Sequence, residues 1–315
     1  MPKKSTTTIG IEYDSSTIRA ARVTSTVGSD SIEFSVDSLE EEKGTFDSDG
    51  DVIKGLKSIK SRISPGPADK VVSCLNGKQI FATVIQHRRL PDNELRNALR
   101  FVMRKNLPFE VAGSTIDYQI ISSPDNKSDK INLLVSVASN TLLHKHVNNF
   151  EKAGLKPDIV DLFPVAIINS FWAGLSEQFD AGIAHAVMHI GPSLSTLAFD
   201  GVGLPYFTRS IYFDAQALFG NGRSVDESEK SQKLELYAEE IVRSLSFYEK
   251  TYKPTHFSSV YLLGEFAHSK ELLEYIVDKV GIEMRYNLLM QKLGCDKKAP
   301  IGTFDIPLAL SMRQG

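Results

Sequence analysis

Thr8-Ile9-Gly10-Ile11-Glu12-Tyr13, then Asp14-Ser15-Ser16, then Thr17-Ile18-Arg19-Ala20-Ala21-Arg22-Val23 is the stretch from which the fold is read. Two runs of strand-like side chains flank a short polar turn, which predicts strand, turn and returning strand. Ser31-Ile32-Glu33-Phe34-Ser35-Val36 adds a third strand, so the chain opens as a meander. The theme returns at Ala186-Val187-Met188-His189-Ile190-Gly191, with a polar turn Pro192-Ser193-Leu194-Ser195 and a returning strand from Thr196 to Phe199. Gly201 and Gly203 punctuate a further hairpin towards Leu204 to Arg209. Each copy is followed by apolar residues at helical spacing, over Val52 to Ile63 and over Leu234 to Tyr252. This weak duplication predicts two related lobes facing each other.

Between the copies the pattern changes. Val71 to Leu75 reads as a buried strand, and Asn76-Gly77 is a hairpin signal with Gln79 to Gln86 returning. A helix opens at Pro91-Asp92, with Asp92 as N-cap, turns Leu95, Leu99, Val102 and Met103 to one side, and stops before Pro108. Strands at Ser114 to Ile121 and Ile131 to Ala138 precede a helix from Thr141 that ends at Gly154. Ile159-Val160-Asp161 is a short strand, and Pro164 begins the next helix. Glu40 to Gly44 reads as an acidic turn and Gly220 to Lys233 as a polar loop. Val260 to Gly264 is a buried strand, and Lys270 to Val280 a helix.

A formal charge of -3 over 315 residues argues against a nucleic-acid binder. Cys74 and Cys295 alone support neither a disulfide framework nor a cysteine zinc site. No apolar run reaches the ~18 residues of a membrane span. Met1-Pro2-Lys3-Lys4 leads into Ser5-Thr6-Thr7-Thr8 instead of an apolar stretch, so no signal peptide is expected. The expected location is the cytoplasm. His185 and His189, four apart on a strand, are separated by about 13 Å and cannot share a metal. His144 and His146 point to different sides of a helix. Surface or packing roles are expected for all of them. Ser15, Ser16, Ser193 and Ser195 have no His or Asp at hydrolase spacing.

Four segments carry a resemblance. They are Leu90-Pro91, Leu95, Phe101, Leu107-Pro108-Phe109 with Ile116-Asp117-Tyr118; Glu151 to Pro157 with Asp161 and Pro164; Glu239-Glu240-Ile241, Arg243, Leu245, Phe247-Tyr248; and Leu308-Ala309-Leu310. Over nearly its whole length the chain resembles the PilM family, actin-like proteins of type IV pilus assembly. That resemblance implies an α/β, actin-like (ribonuclease H-like) fold of two lobes. Residues 1–80 and 159–184 would form the first lobe, 81–158 an inserted α+β subdomain, 185–300 the second lobe, and 301–315 a helix returning to the first, with Pro307 in its first turn.

The nucleotide loops depart from the family. Its first phosphate loop resembles Asp-Ile-Gly-Ser-Ser, where this chain has Glu12-Tyr13-Asp14-Ser15-Ser16. Glycine there lets a backbone N–H approach a phosphate. Asp14 instead presents a carboxylate, which at about 4 Å and an effective dielectric of 20 costs roughly 4 kcal/mol. The family's second Asp-Ile-Gly is His189-Ile190-Gly191 here, and Gly264 is followed by Glu265 and Phe266, expected to crowd a purine. The expectation is a scaffold without cofactor. The alternative is an active ATPase, with Glu12, Ser15, Ser16, Gly191, Ser193, Glu240 and Gly264 around ATP and Mg²⁺, Asp14 then binding the metal.

The resemblance also implies a partner: the cytoplasmic N-terminal segment of a PilN-like inner-membrane protein, held at the insertion. Phe101, Arg104, Leu107 and Phe109 are candidate positions, with plain core packing as the alternative. Arg96, Arg100 and Arg104 recur every four residues, near His87-Arg88-Arg89 and Lys105. They form either a solvated face or a contact with an acidic partner or anionic inner leaflet, worth ~1 kcal/mol per cation. Pilus motor or platform proteins and a ring-forming homo-oligomer complete the expected contacts, at the inner face of the membrane. A type II secretion module is the second alternative; such proteins continue into a membrane span, which this sequence, ending at Gly315, is not expected to do.

Overall fold

The computed structural model describes residues 4–29, 31–105, 107, 109–122, 129–175, 180–201, 204, 206–220 and 226–313. β1 (Lys4–Tyr13), β2 (Thr17–Val27) and β3 (Ile32–Lys43) form the opening antiparallel meander. α1 (Asp49–Ile63) starts where the Ser48 hydroxyl accepts from the Asp51 N–H, and it buries Val52, Leu56, Ile59 and Ile63. β4 (Lys70–Leu75) joins β1 in parallel. The chain then leaves the lobe through β5 (Ile80–Arg88), α2 (Asp92–Met103), β6 (Ser114–Ser122) and β7 (Lys130–Ser139). These strands make a separate sheet of order β5-β7-β6, with Leu95, Leu99 and Met103 of α2 buried against it. α3 (Asn140–Lys152), β8 (Ile159–Leu162) and α4 (Phe163–Gly174) return to the first lobe, whose sheet runs β3-β2-β1-β4-β8.

The second lobe comprises β9 (Ile183–Ile190), β10 (Leu194–Asp200), β11 (Phe207–Tyr212), α5 (Ala215–Phe219), α6 (Glu227–Tyr252), β12 (His256–Leu263), α7 (Lys270–Val280) and β13 (Met284–Tyr286). Its sheet runs β11-β10-β9-β12-β13, the same sequence of meander plus two parallel strands as the first. α8 (Leu289–Lys292) and α9 (Asp305–Ser311) pack back onto the first lobe. Gly10 makes that return feasible, because a Cβ there would collide with the Pro307 carbonyl of α9. The lobes share a core in which Val187, Ala198, Tyr261 and Leu263 meet Val72, Phe171 and Leu310.

Several local expectations are corrected. Glu40–Gly44 is no turn: β3 runs on to Lys43 because cations hold its acids, with Arg62 donating to Glu40 at 3.0 Å and to Glu42 at 2.7 Å. Asn76-Gly77 closes no hairpin, since β4 is taken on both sides by β1 and β8 and β5 must pair elsewhere. Asp92 does not cap α2; Pro91 holds that position, and Asp92 accepts instead from Arg96 and Tyr118. Helix α6 already starts at Glu227, capped by Asp226, within the expected loop 220–233. The strands of the inserted sheet end at Ser139, and Phe150 of α3 packs with Ile9, Ile11 and Leu56. Pro108, Gly203, Pro205 and residues 221–225 lie outside the described residues.

Candidate functional site

The β1–β2 turn faces its counterpart between β9 and β10 across the interlobe cleft. Within the first turn the Asp14 Oδ1 accepts from the Ser16 N–H at 2.7 Å, the Thr17 N–H at 2.9 Å and the Ser16 hydroxyl at 3.0 Å. The Ser16 and Thr17 N–H groups are therefore already met by one of the chain's own carboxylates. A cavity of about 530 Å³ is lined by Ser15, Ser16, Lys43, Ser193, Asp214 and Glu265. It adjoins one of about 380 Å³ lined by Glu12, Asp14, Asn76, Phe163, His189 and Gly191.

Of the residues expected around a nucleotide, Glu12, Ser15, Ser16, Gly191 and Ser193 meet here. Glu240 does not line the cleft; it accepts from Arg209 at 2.7 Å and Arg243 at 2.5 Å on α6. Gly264 lies behind His189, and a Cβ on it would stand 3.0 Å from that ring. Phe266 turns into the second-lobe core, so only Glu265 of the two bulky residues reaches the cleft.

The main charge in the site was not anticipated from sequence. Arg19 on β2 has a side chain only 4% exposed, with Nε 2.8 Å from Glu41 and Nη2 2.7 Å from Glu265. It ties the first lobe to the second. Its signal was available, as a lone cation inside the apolar run Ile18 to Ala21. Beside it, burial pushes the Glu12 carboxyl up to about 8, with Arg19 pulling it back and Asp14, Asp305 and Glu41 adding to the rise. Burial, then Arg19, pushes the His189 imidazole down to about 3, and its ring stands edge-on to Phe163 at 4.8 Å. His146 is buried too, lowered to about 4 by desolvation, and its Nε2 is 2.8 Å from the Ser73 hydroxyl. His144 is exposed. Among the described residues no group of three or more His, Cys, Asp or Glu is placed to hold a metal.

A second concavity, about 900 Å³, lies between the insertion and the first lobe. Leu134, Val137, Val160 and Leu162 give it apolar walls, and Asp117, Asp158 and Asp161 give it acid. β8 forms one side and is an edge strand, paired with β4 alone. None of the sequence candidates for partner binding lines this groove. Leu107 and Phe109 pack half-buried on the insertion's own core, while Phe101 is 65% exposed on α2 and Arg104 is exposed nearby. The arginine row is partly spent. Arg96 pairs with Asp92 at 3.0 Å and Asp117 at 3.3 Å, and Arg100 donates to the Ser114 carbonyl at 3.3 Å.

Two lobes of one strand order, closing on a cleft lined by their first turns, with a sheet inserted in the first lobe, define an actin-like α/β protein. The family model described as type IV pilus assembly protein PilM matches residues 10–217, and the chain belongs to that family. A solved structure described as the PilM-PilN type IV pilus biogenesis complex superposes with a TM-score of 0.77 at 16% identity, covering 97% of this chain and 98% of that one. The ethanolamine utilization protein EutJ from Carboxydothermus hydrogenoformans gives a TM-score of 0.49 at 12% identity, over 99% and 90% of the two chains. The cytoplasmic domain of EpsL, an inner membrane component of the type II secretion system of Vibrio cholerae, gives 0.46 at 10%, over 96% and 98%. A search of curated proteins returns no match. Among the described residues no helix is long and apolar enough to cross a membrane.

Proposed function

We propose that this PilM-family chain is a scaffold of the type IV pilus assembly platform, docking the cytoplasmic segment of a PilN-like membrane protein in the groove beside β8 and binding no nucleotide in its interlobe cleft. The observation that carries the docking half is the groove of about 900 Å³, with apolar side chains in its walls and the edge strand β8 along one side. An extended segment adds to such an edge through main-chain hydrogen bonds and gains specificity from side-chain pockets. The similarity to the chain in a PilM-PilN complex supports this choice of partner. The no-nucleotide half is supported by the Asp14 turn, which satisfies its own N–H groups, and by Arg19, whose charge is met by Glu41 and Glu265. Platform assembly, rings and a membrane surface are contacts that such a scaffold would make from other faces.

Titration calorimetry with a synthetic peptide of the partner's cytoplasmic N-terminal segment tests the reading. Leu134→Asp, in the groove wall, is expected to weaken the peptide at least about tenfold, a loss of roughly 1.4 kcal/mol. Peptide binding unaffected by that change would move the docking site elsewhere. Millimolar Mg-ATP is expected to leave the melting temperature unchanged; a rise of several degrees, which ligand binding must produce by mass action, would restore the ATPase alternative.

A further inference from the structure

The groove carries one feature that an apolar peptide channel does not require. Asp161, at the end of β8, lines it with only 7% of its surface exposed. One carboxylate oxygen accepts from the Leu162 N–H at 2.8 Å, and the other is met by the Arg313 guanidinium. Arg313 lies just past α9, is a third exposed, and is the one cation among the described lining residues, opposite Asp117, Asp158 and Asp161. Asp158 is otherwise engaged by the Val71 N–H at 2.8 Å, and Asp117 by Arg96. A carboxylate buried this far is costly without a cation, because desolvation exceeds what one N–H bond returns. Burial raises the Asp161 carboxyl, and Arg313 pulls it back.

The cation comes from a side chain a third exposed, on a residue outside any helix or strand. It can therefore be exchanged without unfolding an element, for any guanidinium or ammonium that enters the groove at the same height. We propose that the floor of the groove is a subsite for one arginine or lysine side chain of the docked segment, and that Arg313 fills this subsite when no segment is bound. The inference rests on the docking reading of the groove and adds what the groove selects. A segment with a cation at the right position replaces Arg313 at no net change in buried charge. One without a cation must either leave Arg313 in its path or strand Asp161 unpaired, and is rejected.

Agmatine, a guanidinium on a short alkyl chain, is the probe. Arg313→Ala is expected to lower the melting temperature by about 5 °C or more, as expected when one partner of a buried ion pair is removed. Agmatine at ~10 mM should recover at least half of that loss, by mass action on the folded state. Sodium chloride at equal ionic strength should recover none, and agmatine should do nothing for the double variant Asp161→Asn/Arg313→Ala. Absence of rescue, or equal rescue in the double variant, overturns the subsite. Where Arg313→Ala does not yield folded protein, Arg313→Lys keeps a cation on a different reach; a smaller agmatine-dependent rise is then expected, and no rise is the overturning result.

The two readings fail separately. Agmatine rescue together with no binding of the partner peptide would keep the subsite and remove the PilN-like partner. Peptide binding at equal affinity to wild type and to Asp161→Asn would keep the partner and remove the subsite.

Discussion

The interlobe cleft and the groove beside the insertion are both acid-lined hollows, and they treat charge in opposite ways. In the cleft the cation is interior: Arg19 is nearly inaccessible and bridges acids of both lobes. The Asp14 turn consumes its own donors. In the groove the cation is on a side chain a third exposed, and the walls mix apolar side chains with polar and acidic ones. A hollow that satisfies itself has little left for a ligand. One with apolar side chains in its walls, an edge strand along one side and a partly exposed cation has more, and the proposed docking reading rests on that contrast.

The largest test of that contrast is Arg19→Ala. Removing the cation leaves Glu41 and Glu265 facing each other across the lobes, and breaking a buried pair costs about 3–5 kcal/mol. The melting temperature is expected to fall by about 10 °C, and the lobes to lose their mutual protection in hydrogen exchange. A loss confined to the first lobe would mean that the shared core around Phe171 and Tyr261, and not Arg19, sets the closure.

Next in size is the pH dependence that Glu12 imposes. Its folded value of about 8 lies above the ordinary 4.5, so the folded state holds an extra proton between these values. The resulting stability is fully present below pH 4.5 and is lost as pH rises through about 8, with a slope approaching 1.4 kcal/mol per pH unit in between. Asp305, raised to about 7 by burial, acts in the same sense, whereas His189, lowered to about 3, costs stability as pH falls below 6.5. Glu12→Gln is therefore expected to flatten the decline from pH 5 to 8 in urea melts by close to one proton. An unchanged slope would mean that Glu12 stays ionised beside Arg19.

Smaller still is Asp14→Gly, which restores a glycine to the first turn. It removes the carboxylate that the Ser16 and Thr17 N–H groups use, at about 1–2 kcal/mol. The freed donors make an anion site, so tripolyphosphate is expected to raise the melting temperature of the variant by a few degrees and of the wild type not at all. If both respond equally, the turn is open to phosphate despite Asp14.

Much of this architecture was legible because it is written in local pattern. The repeat of strand, turn and strand around Asp14-Ser15-Ser16 and Pro192-Ser193 corresponds to two sheets of one order. What sequence did not reveal was pairing at a distance. Asn76-Gly77 has the composition of a hairpin, but nothing local says that β8 has already taken the free side of β4. Glu40 to Glu42 look like a turn until Arg19 and Arg62 are brought across the sheet to them. The same holds for the site. Glu12, Ser15 and Gly191 follow from loop position, whereas Arg19 with Glu265, and Asp161 with Arg313, are contacts between residues 246 and 152 positions apart. Phe266 packs in the second-lobe core, a placement that its position after Gly264 and Glu265 does not reveal.

The smallest expected effect concerns the row Arg96, Arg100 and Arg104 on α2. Three free cations near an anionic bilayer would contribute ~3 kcal/mol together, more than a hundredfold in partitioning. Arg96 is already paired with Asp92 and Asp117, and Arg100 is turned to the Ser114 carbonyl. Among the described residues only Arg104 of the three has no such partner, beside the exposed Phe101. Replacing all three with glutamine should therefore reduce co-sedimentation with anionic vesicles by no more than about fivefold, the value of one cation. A hundredfold loss would show that Arg96 and Arg100 swing out to the lipid, and that the insertion, like the groove it borders, holds its charge in exchangeable form.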